Sequence, residues 1–256
     1  MTLLVPLQAD QIRAVLLDIE GTTTPVDFVY RTLFPYARLK MEDFLARHGN
    51  DPAVLADVDW LRHQSSADQE RGLEIPPWRG GSKDNLLASA AAYARWLIDR
   101  DSKCTPLKSL QGKIWEEGYS NGELRGEVYP DVPPALARWT QQGRAVAIYS
   151  SGSVLAQKQL FENSVAGDLT PFLRAYFDTT SGIKTVEESY KKIALALEFA
   201  TPEILFISDV DRELEAARTA GMETLLCVRI EGPPSPSKPL AASAHTAIHS
   251  FDEILA

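Results

Sequence analysis

Two acidic side chains follow a short apolar stretch near the start of the chain. The stretch is Ala14 to Leu17, and Asp18 and Glu20 come directly after it, followed by Gly21. The apolar run is too short for a helix and predicts a strand buried on both faces. Because positions two apart on an extended chain project to the same side, both carboxylates should leave the strand end together. Such a pair can bind a divalent cation, or act as nucleophile and proton donor. A solvated acidic loop is the non-catalytic alternative.

Further polar groups follow apolar runs later in the chain. Ser150 and Ser151 lie between a predicted strand and a predicted helix, where backbone N–H groups and the positive helix start suit an anion. Lys184 stands just before another predicted helix, so that two positive features favour a phosphate there. Asp209 follows a third apolar run and could complete a cation site with Glu213.

Each feature alone also has an alternative without chemistry. Residues 150–153 could be a helix-start loop with Ser153 as its N-cap, and Lys184 could be a surface cation. Asp209 and Glu213 could be cap and first-turn acids of a helix. Because all of them follow or precede predicted elements in this order, a catalytic site is favoured over these separate alternatives.

The second half of the chain alternates between predicted strands and predicted helices. From Arg138 onward, short apolar runs alternate with amphipathic patterns, of which the clearest is a helix over 186–199 with Thr185 and Glu188 as a capping box. This alternation predicts an α/β fold with a doubly wound, mostly parallel, Rossmann-like sheet. Catalytic groups in such sheets gather beyond the carboxyl ends of the strands. The acidic pair, the two serines and Asp209 are all predicted to lie there.

An insertion separates the first two predicted strands of the sheet. Asp18 and Ser150 are 132 positions apart, whereas a direct strand–helix–strand crossover needs only about 30 residues. The intervening sequence has mainly helical patterns, at 28–47, 86–100 and 107–115. We therefore predict a catalytic α/β core made of residues 1–25 and 126–256, and an inserted helical cap domain of residues 26–125. A cap could cover the site and exclude water, and a helical domain without a catalytic role is the alternative.

Composition limits the possible partners and the compartment. The chain has 256 residues, of which 45% are hydrophobic, and a formal net charge of −9. An acidic surface argues against nucleic acid and anionic membranes as partners, although a small anionic substrate remains compatible. No apolar stretch approaches the roughly 20 residues of a membrane span, and residues 1–10 do not resemble a secretory signal. Cys104 and Cys227 have no CxxC partner, and the four histidines do not cluster. We therefore predict a cytoplasmic protein, with a surface loop over 231–245.

The order of these motifs resembles that of the haloacid-dehalogenase-type phosphohydrolase superfamily. The resemblance implies that Asp18 is the nucleophile and that Glu20 occupies the acid/base position. It also implies that Ser150 is the phosphate-binding hydroxyl, Lys184 the motif lysine and Asp209 the metal-binding acid. The inserted helical region matches the cap that many members carry at this place. One departure is Glu20, since most phosphatases of the superfamily have Asp there.

That departure narrows the resemblance to one family. The stretch Asp-Ile-Glu-Gly-Thr-Thr-Thr-Pro at 18–25 is similar to the opening of the enolase-phosphatase family, also called acireductone synthases. Further stretches agree with the same family, at 110–119, 128–132, 149–158, 188–190 and 208–210. The resemblance extends from about residue 15 to residue 221.

The family resemblance implies a role in methionine salvage. Its members enolise 2,3-diketo-5-methylthiopentyl 1-phosphate and then remove the phosphate to give the acireductone. The implied partners are this small phosphorylated diketone and one Mg²⁺ per subunit, and the implied state is a monomer. The resemblance assigns the metal to Asp18, Glu20 and Asp209, and the phosphate to Ser150, Ser151 and Lys184.

Several alternatives remain open at this point. The base of the enolisation step could be Glu20, whose extra methylene gives it reach, or a cap residue such as Glu116, Glu117 or Tyr119. The chain could also be another Mg²⁺-dependent phosphatase of the superfamily, acting on a small sugar or metabolite phosphate. A haloacid dehalogenase, which would not need Mg²⁺, and a non-catalytic interaction protein are the more distant alternatives.

Overall fold

A computed structural model describes residues 11–229 and 243–254. The expectations for residues 1–10 and for most of the 231–245 loop lie outside this range. Contacts between Cα atoms divide the chain into two compact units, which are Met1–Val26 with Arg125–Ala256, and Asp27–Leu124. The assignment of these units as catalytic core and cap stays a prediction.

The larger unit is built on a parallel sheet, as predicted. Within the described residues the sheet has six strands, in the order β3-β2-β1-β4-β5-β6, and every neighbouring pair is parallel. The strands are β1 (Ala14–Leu17), β2 (Ala145–Tyr149), β3 (Ala175–Phe177), β4 (Ile204–Ser208), β5 (Glu223–Cys227) and β6 (Thr246–Ile248). The helices of this unit are α5 (Val132–Gln141), α6 (Val154–Glu162), α7 (Glu187–Leu197) and α8 (Asp211–Thr219). Their alternation with the strands confirms the α/β fold class.

The register of the sheet brings the predicted site residues to one edge. Strand β1 lies at the centre, and its last residue, Leu17, pairs with Ile148 of β2 and Ile207 of β4. All residues of β1 and β4 are buried, which explains why both strands are continuous apolar runs. The three strands therefore end at the same level, and the residues that follow them emerge together.

Helices are the only regular secondary structure in the described residues of the smaller unit. A π-helical segment, Phe28–Leu33, precedes α1 (Phe34–His48), and α2 (Pro52–Glu70), α3 (Lys83–Ile98) and α4 (Thr105–Ser120) follow. Helix α2 was not among the predicted helices, because its buried side includes the polar residues Ser65 and Asp68 and so lacks a clear apolar pattern. Among the described residues, no helix of either unit has the length and apolar character needed to cross a membrane.

Two helix starts beside the site test the capping predictions. Ser153 caps α6, since its hydroxyl accepts a hydrogen bond from the Ala156 N–H at 3.3 Å. The capping box predicted at Thr185 and Glu188 is wrong. Helix α7 begins at Glu187, after Val186, and has no side-chain cap. The loop before it is held instead by two hydroxyls of α7, since Ser189 donates to the Ile183 carbonyl at 2.8 Å and Tyr190 donates to the Lys184 carbonyl at 2.6 Å.

Candidate active site

Asp18 lies at the centre of the site, directly after β1. Its side chain is buried, and its backbone N–H donates to the Ile207 carbonyl at 3.0 Å, which continues the sheet ladder by one residue. Oδ1 accepts from Lys184 Nζ at 2.6 Å and from the Ile19 N–H at 2.7 Å. Oδ2 accepts from Ser208 Oγ at 2.9 Å. These donors fix the carboxylate in one orientation at the strand end.

Lys184 is a buried cation between two acids. Its side chain is 9% exposed, and Nζ lies 2.6 Å from Asp18 Oδ1 and 2.6 Å from Glu213 Oε2. Burial lowers the pKa of Lys184, but the charges of Asp18 and Glu213 outweigh this effect and hold the pKa above its ordinary value. The Tyr190 hydroxyl donates to the Lys184 carbonyl at 2.6 Å, and so anchors the loop that carries the ammonium group.

Glu213 contacts a cation in the structure, whereas its spacing from Asp209 suggested that it binds a metal. The sequence placed it with Asp209 as a candidate cation ligand, whereas the structure pairs it with Lys184 and with Ser208 Oγ at 3.2 Å. Burial, and then the charge of Asp18, raise the pKa of Glu213 to about 7. Glu213 therefore helps to hold the ammonium group in place.

The loop after β2 brings Ser150 against the loop after β1. The Ser150 hydroxyl is buried, lies 3.4 Å from Glu20 Oε2 as a donor, and accepts from the Gly152 N–H at 3.0 Å. Ser151 follows in the same loop and is partly buried. The structure thus joins Glu20 and Ser150, which are 130 positions apart in sequence.

One residue that shapes this loop was missed as a site residue. The Gln157 side chain is buried in α6, and its amide donates to the carbonyls of Gly152 and Phe177, both at 2.9 Å. It therefore ties the serine loop to the end of β3. Gln157 lies within the family-like stretch 149–158, but nothing local to it in the sequence indicates this role.

Asp209 lies against the glycine that follows the acidic pair. Gly21 has a φ of +72°, which favours glycine, and a Cβ at this position would lie 2.3 Å from Asp209 Oδ2. Gly21 thus allows Asp209 to approach the chain beside Asp18. Loss of solvation, and then the charge of Asp18, raise the pKa of Asp209 to about 7.

The donors at this edge suit Mg²⁺. Asp18, Asp209 and the backbone carbonyl of Glu20 are all hard oxygen donors, and Mg²⁺ usually uses one or two carboxylates and keeps several waters. Burial and then the charge of Asp18 raise the pKa of Asp209, and a bound divalent cation would favour its ionised form. In the described part of the chain, no three His, Cys, Asp or Glu side chains by themselves form a metal site. Carbonyl, water and phosphate oxygens would therefore complete the coordination.

The raised pKa of Asp209 predicts that the stability of the metal-free protein depends on pH. At pH 5 to 6 the folded chain holds a proton on Asp209 that the unfolded chain, with an ordinary Asp pKa, has lost. The folded state binds more protons, so this group's contribution to the free energy of unfolding falls as the pH rises toward 7. We expect the Asp209→Asn variant to lack this component in urea unfolding with a chelator present. Parallel pH profiles of the wild-type and Asn variants between pH 5 and 8 would contradict it.

The candidates for the enolisation base in the predicted cap differ in their surroundings. Glu117 pairs with Arg47 at 2.8 Å and with His48 at 2.5 Å, and the Arg47 hydrogen bond lowers its pKa. The Tyr119 side chain is buried, and burial raises its pKa. Glu116 is exposed. Neither the paired Glu117 nor the buried Tyr119 has the properties of a free general base near neutral pH.

The family model and the individual relatives that match this chain are all hydrolases of one kind. The model of the haloacid dehalogenase-like hydrolase family matches residues 12–221. Proteins named enolase-phosphatase E1 are similar along most of the chain. That of Synechococcus elongatus is 51% identical and the alignment covers 95% of this chain and 98% of that protein. That of Pseudomonas syringae is 46% identical, with coverages of 94% and 96%, and that of Drosophila melanogaster is 44% identical, with coverages of 85% and 83%.

A solved structure shares the fold over nearly the same length. The crystal structure of the UTR4 protein (Unknown transcript 4 protein) from Saccharomyces cerevisiae has 31% sequence identity and a TM-score of 0.73. The match covers 94% of this chain and 99% of the yeast chain. The sequence and structure comparisons therefore span both units of the chain.

Proposed function

Since the chain belongs to the enolase-phosphatase E1 family of haloacid dehalogenase-like hydrolases, we propose that its strand-end residues catalyse two consecutive steps on one substrate. The protein is an enolase-phosphatase of methionine salvage. Its substrate is 2,3-diketo-5-methylthiopentyl 1-phosphate, which is first enolised and then dephosphorylated to the acireductone. The observation that carries the assignment of roles is the 2.6 Å contact of Lys184 Nζ with Asp18 Oδ1, at the edge where Glu20 meets Ser150.

The phosphatase step uses Asp18 as the nucleophile. A carboxylate oxygen of Asp18 attacks the phosphorus in line, a bond from oxygen to phosphorus forms, and the bond from phosphorus to the substrate oxygen breaks. Lys184 and the hydroxyls of Ser150 and Ser151 hold the other phosphate oxygens. Water then attacks the phosphorus, the bond to Asp18 breaks, and phosphate is released.

A bound Mg²⁺ would neutralise negative charge on the phosphoryl oxygens as they approach the carboxylate. Asp18, Asp209 and the Glu20 carbonyl would hold it. We propose one ion per subunit.

Glu20 connects the two steps through one proton. In the enolisation, its carboxylate removes a proton from the carbon next to a substrate carbonyl group. This leaves an enolate, whose oxygen takes a proton from solvent to give the enol, and a protonated Glu20, which is the state required to donate a proton to the leaving substrate oxygen when its bond to phosphorus breaks. Without substrate, the Ser150 hydroxyl lies 3.4 Å from Glu20 Oε2, so the carboxylate is next to the group proposed to bind the phosphate. In the last step Glu20 accepts the proton of the attacking water.

The function is tested by supplying the diketo phosphate with Mg²⁺ and following the enol absorbance and free phosphate together. We expect enol to appear before phosphate, and chelation of Mg²⁺ to abolish phosphate release. Release without an enol phase, with faster turnover of sugar phosphates, would identify another phosphatase of the superfamily. Full activity on haloacids in chelator would identify a dehalogenase.

The reach of Glu20 gives a separate prediction. In Glu20→Asp the carboxylate is one methylene shorter, so we expect enolisation to slow by about 10²-fold, within the usual range for a misplaced general base. Phosphate release from a simple aryl phosphate needs no enolisation, and its good leaving group needs no proton. It should therefore slow less, through the activation of the attacking water alone. The control is Glu162→Asp, the same shortening at the exposed end of α6. Enolisation at the wild-type rate in Glu20→Asp would exclude Glu20 as the base.

We also propose that the enzyme acts as a monomer in the cytoplasm. The acidic composition and the absence of disulfide-type cysteine spacing support this proposal. Light scattering behind size exclusion at micromolar concentration would test the monomer, for which we expect a mass near 28.3 kDa.

A further inference from the structure

The loop that carries Gly21 to Thr24, here called the threonine loop, wraps around the chain next to the nucleophile. The N–H groups of Thr22, Thr23 and Thr24 all donate to the Ile19 carbonyl, at 3.1, 2.9 and 2.9 Å. The Thr23 hydroxyl donates to the Asp18 carbonyl at 3.0 Å. The position of this loop therefore fixes the backbone on both sides of Glu20.

Arg229 holds the threonine loop from outside. It follows β5, two strands away from β1, and both its Nε and its Nη2 donate to the Thr22 carbonyl, at 2.9 and 2.6 Å. The Tyr129 N–H donates to the neighbouring Thr23 carbonyl at 3.0 Å. Two consecutive carbonyls of the loop are thus bound by groups from distant parts of the chain.

The guanidinium group is itself rigidly held. Its side chain is 7% exposed, and Nη1 lies 2.7 Å from Oδ2 of the equally buried Asp131. The rings of Tyr129 and Phe251 lie 4.3 and 4.7 Å from its central carbon. Asp131 Oδ2 also accepts from the Phe251 N–H at 2.6 Å and from Ser250 Oγ at 3.1 Å. A buried ion pair adds little stability over apolar packing. The pair of Arg229 with Asp131 therefore matters here because it fixes the position of the guanidinium group.

The threonine loop has little room to move without affecting the site. Gly21 packs so closely on Asp209 that a Cβ there would lie 2.3 Å from Asp209 Oδ2. A shift of the loop would therefore change the separation of Asp209 from the Glu20 backbone. It would also change the approach of the Glu20 side chain to Ser150.

We propose that Arg229 is a positioning residue for the reaction, acting through the Thr22 carbonyl on Glu20 and Asp209. The inference rests on the proposed function for its catalytic consequence, and on the contacts above for its structural part. Arg229 touches neither Asp18 nor Lys184 in the described contacts. Its effect is expected in the metal-binding geometry and in kcat, more than in KM for the substrate.

The test uses Arg229→Lys, which keeps the positive charge opposite Asp131 but cannot donate twice to the Thr22 carbonyl. We expect kcat to fall by about 10- to 100-fold with KM little changed, as is usual when a group supporting a metal site is altered. Calorimetric titration with Mg²⁺ in the absence of substrate should show weaker binding by a similar factor.

The matched control is Arg138→Lys. Arg138 is a partly buried arginine whose Nη2 donates to the Phe251 carbonyl at 2.9 Å, so it anchors the same turn without a described contact to the threonine loop. We expect wild-type kcat and wild-type Mg²⁺ affinity in this control. Equal losses in both variants would overturn the proposal and leave Arg229 with a purely structural role.

Wild-type kcat and Mg²⁺ affinity in folded Arg229→Lys would also overturn it. If this variant does not fold, Asp131→Asn, which keeps both bonds to Thr22 but removes the ion pair, should show a smaller loss of the same kind, and no loss would refute the inference. Failure of the wild-type protein to turn over the diketo phosphate would refute the proposed function instead, and the Mg²⁺ titration would still decide the role of Arg229.

Discussion

Replacing Asp18 with Asn is expected to reduce phosphate release by about 10⁴-fold or more, since loss of a covalent nucleophile removes the reaction path itself. The amide has nearly the same shape, and Ser208 Oγ and the Ile19 N–H remain next to it, so the fold should persist. Acid quenching during turnover should trap a phosphorylated wild-type enzyme and no phosphorylated Asn variant. The lost charge should also lower the pKa of Asp209, because Asp18 helps to raise it.

The control for this variant is Asp168→Asn. Asp168 is exposed and accepts from the Thr170 N–H at 2.9 Å within its own turn, so the same chemical change there should leave turnover intact. Phosphate release by Asp18→Asn within tenfold of wild type would show that another group attacks the phosphorus.

Replacing Lys184 with Met is expected to affect both stability and activity. The change leaves the buried carboxylates of Asp18 and Glu213 facing each other without the ammonium group between them. Breaking a buried ion pair from one side costs about 3–5 kcal/mol of unfolding free energy, which urea unfolding would measure. Loss of a positive charge at the phosphate should lower kcat by about 10³-fold.

A double variant separates the two effects. In Lys184→Met with Glu213→Gln, one of the unpaired charges is gone, so most of the stability should return while the activity should not. Recovery of activity in the double variant would mean that Lys184 only neutralises Glu213. Lys191→Met is the matched control, because Lys191 lies 2.6 Å from Glu187 in an exposed pair, and its loss should change neither property measurably.

The strand ends could be predicted from the sequence because neighbouring residues determine them. Strand β1 is a buried apolar run that stops at an acid, and the chain turns at Gly21. The same pattern of strand followed by polar residues located Ser150 and Asp209. The parallel sheet then brings these positions to one edge, so their placement follows from the alternation of strands and helices.

The partners of these residues could not be predicted in the same way. Glu213 reads as a first-turn acid of α8, and only the packing of α7 and α8 reveals that it contacts Lys184. Arg229 contacts the Thr22 carbonyl across 207 positions of sequence, with no pattern near either residue to indicate it. The capping box at Thr185 failed for a related reason. Bonds from Tyr190 and Ser189 to the preceding loop take precedence over local capping preferences.

The central position of β1 has a consequence for biosynthesis. Strand β1 is synthesised before the other five described strands, yet Ala14 pairs with Ala145 on one side and with Ile204 on the other. Strand β1 therefore has no partner strand while the helices of Asp27–Leu124 are synthesised and form their own local contacts. We expect nascent chains stalled before β4 to lack the pairing of β1 with β4, so that activity is acquired only after β4 has been synthesised.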